Sequence, residues 1–122
     1  MAIDPTGADL KQYLADDPGG PVVMLNLLRF KDGGEASYRE YGARTQEFLA
    51  KVGGEVVYAG DGSTALVAAD GQAWDAVLLV RYPSRRAFCD MVADAEYQKI
   101  THLRTQALEE AVLQATIPWD RA

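Results

Sequence analysis

The sequence predicts an α+β domain in which four strands and two helices alternate in the order βαββαβ. Three observations support this prediction. Apolar runs of strand length are bounded by Gly, Pro and Asp residues. Two stretches between those runs carry apolar residues at helical spacing behind a capping residue. The chain has 122 residues, of which 48% are hydrophobic, so its size and composition suit a single domain with one core.

A short helix is predicted before this unit, over residues 6–15. Thr6 can cap it, and Asp9 falls in its first turn, where a carboxylate is favourable. Pro18-Gly19-Gly20-Pro21 ends the segment. The predicted boundaries are 1–20 for an N-terminal helical extension, 21–118 for the main domain and 119–122 for a tail.

The first strand and the first helix of the main domain have clear signals. Residues 22–30, VVMLNLLRF, form a strand that is apolar on both pleat faces, so both faces need cover. After the loop KDGG, Ser37 and Glu40 have the spacing of a capping box. Gly53-Gly54 provides the stop. The inner stripe of this helix is predicted to be Tyr38, Tyr41, Thr45, Phe48 and Val52.

The second and third strands are predicted at residues 55–60 and 73–82. Between them, residues 63–69 (STALVAA) either continue the second strand or pair back on it as a hairpin. The Asp-Gly pairs on both sides of this stretch are turn signals and allow both alternatives.

Two helical pieces and a last strand complete the chain. Ser84 is predicted to cap the first piece, and Asp94 to cap a second piece that runs from about Ala95 to Glu109. Residues 111–117 alternate as a strand, which Pro118 ends.

This element order predicts a ferredoxin-like fold, because it consists of two βαβ-like halves. Right-handed crossovers would place the first and third strands side by side and parallel in the centre of a four-stranded sheet, with the helices on one face. The opposite face would remain apolar, and each Å² of apolar surface left in water costs about 25 cal/mol of free energy. We therefore expect a second copy of the chain to cover it in a homodimer.

Charge and cysteine content exclude several classes of partner. A net charge of −6 argues against nucleic acid and against an anionic membrane surface. The single cysteine, Cys89, suits the cytoplasm and rules out zinc sites built from cysteines. No signal peptide and no apolar run of about 20 residues are present. The glycine pairs fit no nucleotide-binding motif, so no cofactor is expected. No carboxylates are identified that would join His102 as metal ligands, so no metal is expected either.

Several blocks resemble, in order, the family called domain of unknown function 1330, over about residues 20–117. They are VVMLNLLRF, YREYG, VGGEVVYAG, WDAVLLVRYPS, DAEYQ and LRTQALEEAVLQAT. The family belongs to the dimeric α/β-barrel superfamily, so the resemblance implies two ferredoxin-like sheets packed face to face. That superfamily includes cofactor-free monooxygenases, lactone isomerases, haem-binding enzymes and small-ligand regulatory domains, and the fold alone does not choose among them.

Polar residues in the apolar strands are the first candidates for a ligand site. Arg29 and Arg81 lie near the ends of strands predicted to be neighbours, so both could point into one anion-binding end of a cavity. Alternatively, each reaches solvent from a strand end. Asn26 either binds a ligand or bonds to a neighbouring helix end or loop.

Ring residues could line a small-molecule pocket between helices and sheet. They are Tyr38, Tyr41, Trp74, Tyr82 and Tyr97, although a ring stripe on a helix is more often core. His102, the only histidine, could move a proton with Tyr97 or Tyr41, which makes these three the catalytic candidates. Helical spacing places Arg104 on the face of Tyr97, with His102 off it. Arg104 is therefore favoured as the inward polar group, and we expect it to pair with a carboxylate or to bind a ligand.

Three functions are compatible with these residues. The first is a cofactor-independent enzyme, of oxygenase or isomerase type, acting on a small anionic or carbonyl compound. The second is a non-catalytic protein that binds such a compound in the same cavity, and the third is a structural dimer without a site. An enzyme would gather several titratable groups with shifted pKa values in one cavity, whereas a binder needs one anchor and apolar walls.

Overall fold

The computed structural model describes residues 4–119. Residues 1–3 of the predicted extension and 120–122 of the predicted tail lie outside that range. The helices and strands of the described range are α1 (Gly7–Ala15), β1 (Val22–Phe30), α2 (Glu35–Lys51), β2 (Glu55–Asp61), β3 (Ala76–Tyr82), α3 (Arg85–Ala93), α4 (Ala95–Gln98), α5 (Thr101–Ala107) and β4 (Leu108–Thr116).

The four strands form one antiparallel sheet in the order β2-β3-β1-β4. The predicted ferredoxin-like order and the central position of β1 and β3 are confirmed. The prediction that β1 and β3 run parallel is wrong, since Leu25 pairs with Leu79 in an antiparallel register. The reason is that β3 reverses direction after β2 and inserts between β2 and β1, so β1 runs in the same direction as β2, and β3 in the same direction as β4.

The two faces of the sheet differ in cover. On β1 the buried residues alternate with half-buried ones, and Met24, Asn26 and Leu28 face the helices. The other face carries Leu25 and Leu27 from β1, with further apolar residues opposite them on β3 and β4. Within residues 4–119, the buried core clusters include no residue of this second face. We call it the outer face.

Several helix ends are held by the predicted caps. Thr6 and Asp9 form a capping box at α1, with hydrogen bonds of 2.9 and 3.0 Å. Ser84 accepts a hydrogen bond from the Ala87 amide at α3, and Asp94 caps α4. The positive φ of Gly53, +75°, ends α2 as predicted.

The start of α2 differs from the prediction. The helix begins at Glu35 behind Gly34, and the hydroxyl of Ser37 instead donates to the Leu103 carbonyl at 2.7 Å. A Cβ atom on Gly34 would lie 2.3 Å from the carbonyl oxygen of Ala107. This close approach of two backbones requires glycine, and it places the start of α2 against the end of α5.

Two further boundaries differ. Residues 62–75 contain no strand, so neither alternative for residues 63–69 is right, and β3 begins at Ala76. The base of this segment is closed by a hydrogen bond of 2.8 Å from the Gly62 amide to the Asp75 carbonyl. The predicted helix of residues 95–109 is interrupted after Gln98 and ends at Ala107, because the chain is already extended and paired with β1 from Leu108.

None of the helices within residues 4–119 has the length and hydropathy that crossing a bilayer requires.

Candidate functional site

A cavity of about 230 Å³ lies between the helix layer and the sheet. Its sheet side is formed by inward residues of β1 and β3, which share a pleat face because alternate residues of a strand point the same way. They include Met24, Asn26, Leu78 and Val80. The helix side comes from α2, α3, α4 and α5. The cavity therefore exists only where these four helices pack on the sheet.

Two tyrosine hydroxyls meet in this cavity. The hydroxyl oxygens of Tyr41 on α2 and Tyr97 on α4 are 2.5 Å apart, and both side chains are buried. Asp94 positions Tyr97, because its carboxylate accepts hydrogen bonds from the Glu96 and Tyr97 amides and so starts α4 there. The ring of Tyr38 lies beside the pair, tilted by 46° to the ring of Tyr41, and the two centroids are 5.4 Å apart. The predicted ring candidates of the helices are therefore brought together.

Burial favours the neutral form of three phenols of the cavity, those of Tyr38, Tyr82 and Tyr97. It raises the pKa of Tyr38 to about 12, and it also raises the pKa of Tyr82, which lies across the cavity on β3. Burial is the largest cause of the raised pKa of Tyr97 as well, followed by the neighbouring Tyr41. At neutral pH these hydroxyls can thus donate and accept hydrogen bonds, but they do not act as ready bases.

Alkali is expected to destabilise the fold through these tyrosines. The pKa of Tyr38 rises from 10.0 to about 12 in the folded state, so its contribution is complete below pH 10 and is lost as the pH rises toward 12. In that window the unfolded chain releases the proton while the folded chain keeps it. The free energy of unfolding therefore falls by about 1.4 kcal/mol per pH unit, and by about 2.7 kcal/mol in full. Urea unfolding between about pH 9 and 11 measures this effect.

Tyr38→Phe should make that pH dependence shallower, because it removes a phenol whose pKa burial raises. A free energy of unfolding that is the same in wild type at about pH 9 and pH 11 would contradict the assignment of buried, neutral phenols.

Arg104 brings a cation into this cavity. Its side chain is only 7% exposed, and its Nη1 atom donates to the Asp4 carboxylate at 2.6 Å. Asp4 also accepts a hydrogen bond of 3.0 Å from the Thr105 hydroxyl, and it lines the cavity together with Arg104. As the helical spacing indicated, Arg104 faces inward and His102 lies on the exposed side.

Asn26 lies on the sheet side of the cavity, as a candidate ligand-binding residue should. Its Nδ2 atom is 3.4 Å from the Met24 carbonyl oxygen, at the long end of hydrogen-bond distances. The side chain is 9% exposed and lines the cavity, so its amide can form a hydrogen bond with a polar group of a ligand inside the cavity.

Arg29 and Arg81 do not share a site, and the expectation that they do is wrong. In the antiparallel register Arg81 pairs with Val23, and Arg29 lies six residues further along β1, at the other end of the sheet. That separation is about 20 Å. Both arginines also follow the alternation of the outer face, away from the cavity.

Arg29 instead holds the segment of residues 62–75 against the sheet. It pairs with Glu110, and its Nη2 atom donates to the carbonyls of Gly71 and Ala73 at 3.0 and 2.7 Å. Its guanidinium lies 4.4 Å from the centroid of the Trp74 ring. Trp74 is therefore also outside the cavity, and its contacts are those of a packing residue at the base of the segment.

His102 does not reach Tyr97 or Tyr41, so the predicted proton-transfer cluster is not formed. It is exposed on α5, two residues from the inward Arg104. Cys89 is buried, and burial raises the pKa of its thiol, which disfavours a nucleophilic thiolate. Among residues 4–119, no three His, Cys, Asp or Glu side chains are grouped so that they could hold a metal ion.

Tyr82, which the sequence offered as a ring residue for a pocket, lines the cavity, and its place two residues after Val80 on β3 indicates that direction. One charged residue of the cavity was not selected from the sequence. Asp4 gave no such signal, because it lies 100 residues before Arg104 in the chain. Only the packing of the N-terminal segment on α5 brings the two together.

Comparison with known proteins supports the fold and leaves the reaction open. Residues 25–115 match the family described as Domain of unknown function (DUF1330). Among curated proteins, none matches this sequence. The crystal structure of RPA0582, a protein of unknown function from Rhodopseudomonas palustris, is 31% identical with a TM-score of 0.88, over 98% of each chain.

More distant structures share the fold alone. A dimeric ferredoxin-like protein of unknown function from Thermobifida fusca is 13% identical, with a TM-score of 0.53 over 81% of this chain and 92% of that one. A putative antibiotic biosynthesis monooxygenase from Bacteroides thetaiotaomicron is 17% identical, with a TM-score of 0.58 over 82% of this chain and 90% of that one.

Proposed function

The chain belongs to the family of domain of unknown function 1330, whose name prescribes no reaction, and we propose from the cavity that it binds a small organic acid. Arg104 holds the carboxylate, the tyrosine hydroxyls and Asn26 contact the polar atoms next to it, and the apolar walls hold the body of the ligand. The observation that carries this proposal is a buried guanidinium in a cavity lined mostly by rings and aliphatic side chains, with the Asp4 carboxylate and neutral polar groups such as Asn26 among them.

The chemistry of Arg104 favours an acid over a neutral ligand. Among the described residues that line the cavity, it is the single basic side chain, and its planar fork of donors matches a carboxylate. In a site with little water, a charge-assisted hydrogen bond contributes more than it would on the surface. One anchor with apolar walls is the arrangement expected of a binder.

The size of the cavity limits the ligand. A cavity of about 150 Å³ holds a benzene ring, and drug-sized ligands occupy pockets of about 300 Å³ or more. At about 230 Å³, this cavity suits a compact acid with one ring or a short chain.

A second candidate is a cofactor-independent enzyme, which the Tyr41–Tyr97 pair favours. Two hydroxyls 2.5 Å apart can share a proton and donate a hydrogen bond to a developing oxyanion of a substrate. A structural neighbour described as a putative monooxygenase supports such a use of the fold, at the level of fold analogy. The raised pKa of Tyr97 and the exposed position of His102 argue against a general base in the cavity.

Three acids, each compared with its neutral amide, test the proposal: benzoate, phenylacetate and hexanoate against benzamide, phenylacetamide and hexanamide. We expect at least one acid to bind and to raise the thermal midpoint of unfolding. At a concentration of 100 times its Kd, the acid should add about 2.7 kcal/mol to the free energy of unfolding, and the matching amide should bind much more weakly. Amides that bind as well as the acids, or no binding by any acid, would refute it. Mass spectrometry of the same mixtures detects conversion, which would favour the enzyme.

We also propose that the chain acts as a homodimer joined through the outer face. That face is apolar along its centre, where Val23, Leu25, Leu27, Val77 and Leu79 are not part of the buried core of the described residues. Structural neighbours from Thermobifida fusca and Bacteroides fragilis are described as dimeric, which supports this assembly. Pairing of two such faces would remove their apolar area from water.

A further inference from the structure

The carboxylate of Asp4 already occupies the position that an acid ligand needs. Its Oδ1 atom accepts from Arg104 Nη1 at 2.6 Å, and its Oδ2 atom accepts from the Thr105 hydroxyl at 3.0 Å. Asp4 and the following Pro5 also line the cavity. An acid that binds to this face of the Arg104 guanidinium therefore has to displace Asp4.

Asp4 is held less firmly than the arginine that it contacts. The Asp4 side chain is 47% exposed, whereas that of Arg104 is 7% exposed. Behind Asp4, helix α1 packs on the core through three partly buried residues, Leu10, Tyr13 and Leu14. Asp4 itself is held by its hydrogen bonds to Arg104 and Thr105. A charge pair between one buried and one half-exposed partner can open toward water on the exposed side, provided another anion takes the buried cation.

The rest of the segment can stay in place when Asp4 moves. The Thr6–Asp9 capping box closes the start of α1 independently of Arg104. Helix α1 is attached to α3 by Arg85, which donates to the Tyr13 carbonyl at 2.7 Å and lies 4.3 Å from the centroid of the Tyr13 ring. Within the described residues, displacement therefore requires a change in the backbone only at Asp4 and Pro5, which precede the capping residue Thr6.

We propose that Asp4 is an internal competitor for the acid-binding site, which it occupies when no ligand is bound; this inference rests on the acid-binding function proposed above. A tethered carboxylate has an effective concentration on the order of millimolar. A bare anion such as acetate gains nothing else on binding and fails to displace it. An acid with an apolar body also fills the cavity, so the competitor makes the site selective for apolar monocarboxylates over small anions.

The test compares wild type with Asp4→Asn by calorimetric titration with benzoate and with acetate. Wild type should bind benzoate and not acetate at equal concentrations. Asp4→Asn should bind benzoate about ten times more tightly, because the competent state is no longer masked, and should bind acetate measurably. Asp9→Asn is the matched control, since it loses a carboxylate of the same segment that does not contact Arg104, and its affinity for benzoate should stay within about twofold.

Each outcome decides the inference. Equal or weaker binding of benzoate by Asp4→Asn would show that Asp4 is a structural counterion, and would overturn it while leaving the acid-binding function intact. Failure of both proteins to bind any acid would refute that function and the inference with it. Should Asp4→Asn fail to fold, the backbone amide signal of Asp4 in the NMR spectrum of wild type decides. Its line width should decrease in saturating benzoate, because displacement from Arg104 frees Asp4. An unchanged signal would overturn the inference.

Discussion

Replacing Arg104 with methionine is expected to weaken the binding of small acids by about 30-fold or more and to lower the free energy of unfolding by about 3 kcal/mol. Methionine keeps an unbranched apolar side chain in place of the arginine stem but removes the donors that the Asp4 carboxylate accepts from. In the buried site, neither a ligand carboxylate nor Asp4 finds another basic side chain among the described residues that line the cavity. Calorimetric titration with benzoate and urea unfolding measure the two effects.

Two control variants give this prediction its contrast. His102→Gln changes an exposed residue on the same helix and should cost under about 0.5 kcal/mol. Arg39→Met removes an arginine whose side chain is 81% exposed and should leave benzoate binding unchanged. If His102→Gln were the more destabilising change and also abolished binding, the cavity assignment would be wrong and proton transfer through His102 would return as the better hypothesis.

Replacing Leu27 with lysine is expected to convert a homodimer into a monomer. Leu27 pairs with Val77 on β3 and Val112 on β4, so it lies at the centre of the outer face. Two lysine ammonium groups at the centre of an apolar interface would be desolvated without partners, which costs several kcal/mol. A stable interface of this type buries more than about 1,500 Å² in total.

Size-exclusion chromatography with light scattering at micromolar concentration provides the measurement. Wild type should have twice the mass of the chain, and Leu27→Lys the mass of one chain. Ala43→Lys, which adds the same charge at an exposed position on α2 away from the outer face, should remain dimeric. A monomeric wild type would contradict the dimer outright, and a dimeric Leu27→Lys would place the interface elsewhere.

Sequence alone determined the features of this protein that depend on neighbouring residues. The caps Thr6, Ser84 and Asp94, and the ending of α2 at Gly53, follow from local hydrogen bonding and backbone conformation. Period-2 and helical spacing were sufficient to indicate the two apolar faces of β1 and the inward direction of Arg104. Such signals act over one to four residues, and no distant contact is needed to interpret them.

Only the tertiary structure decided which distant groups meet. The antiparallel register of β1 and β3 separates Arg29 from Arg81, although both are arginines at the ends of neighbouring strands. Arg104 pairs with Asp4 because α5 and the described residues Asp4 and Pro5 lie at the same end of the cavity, across 100 positions of sequence. Spacing along a chain specifies the side of an element on which a residue lies, whereas the packing of whole elements specifies which residue it contacts there.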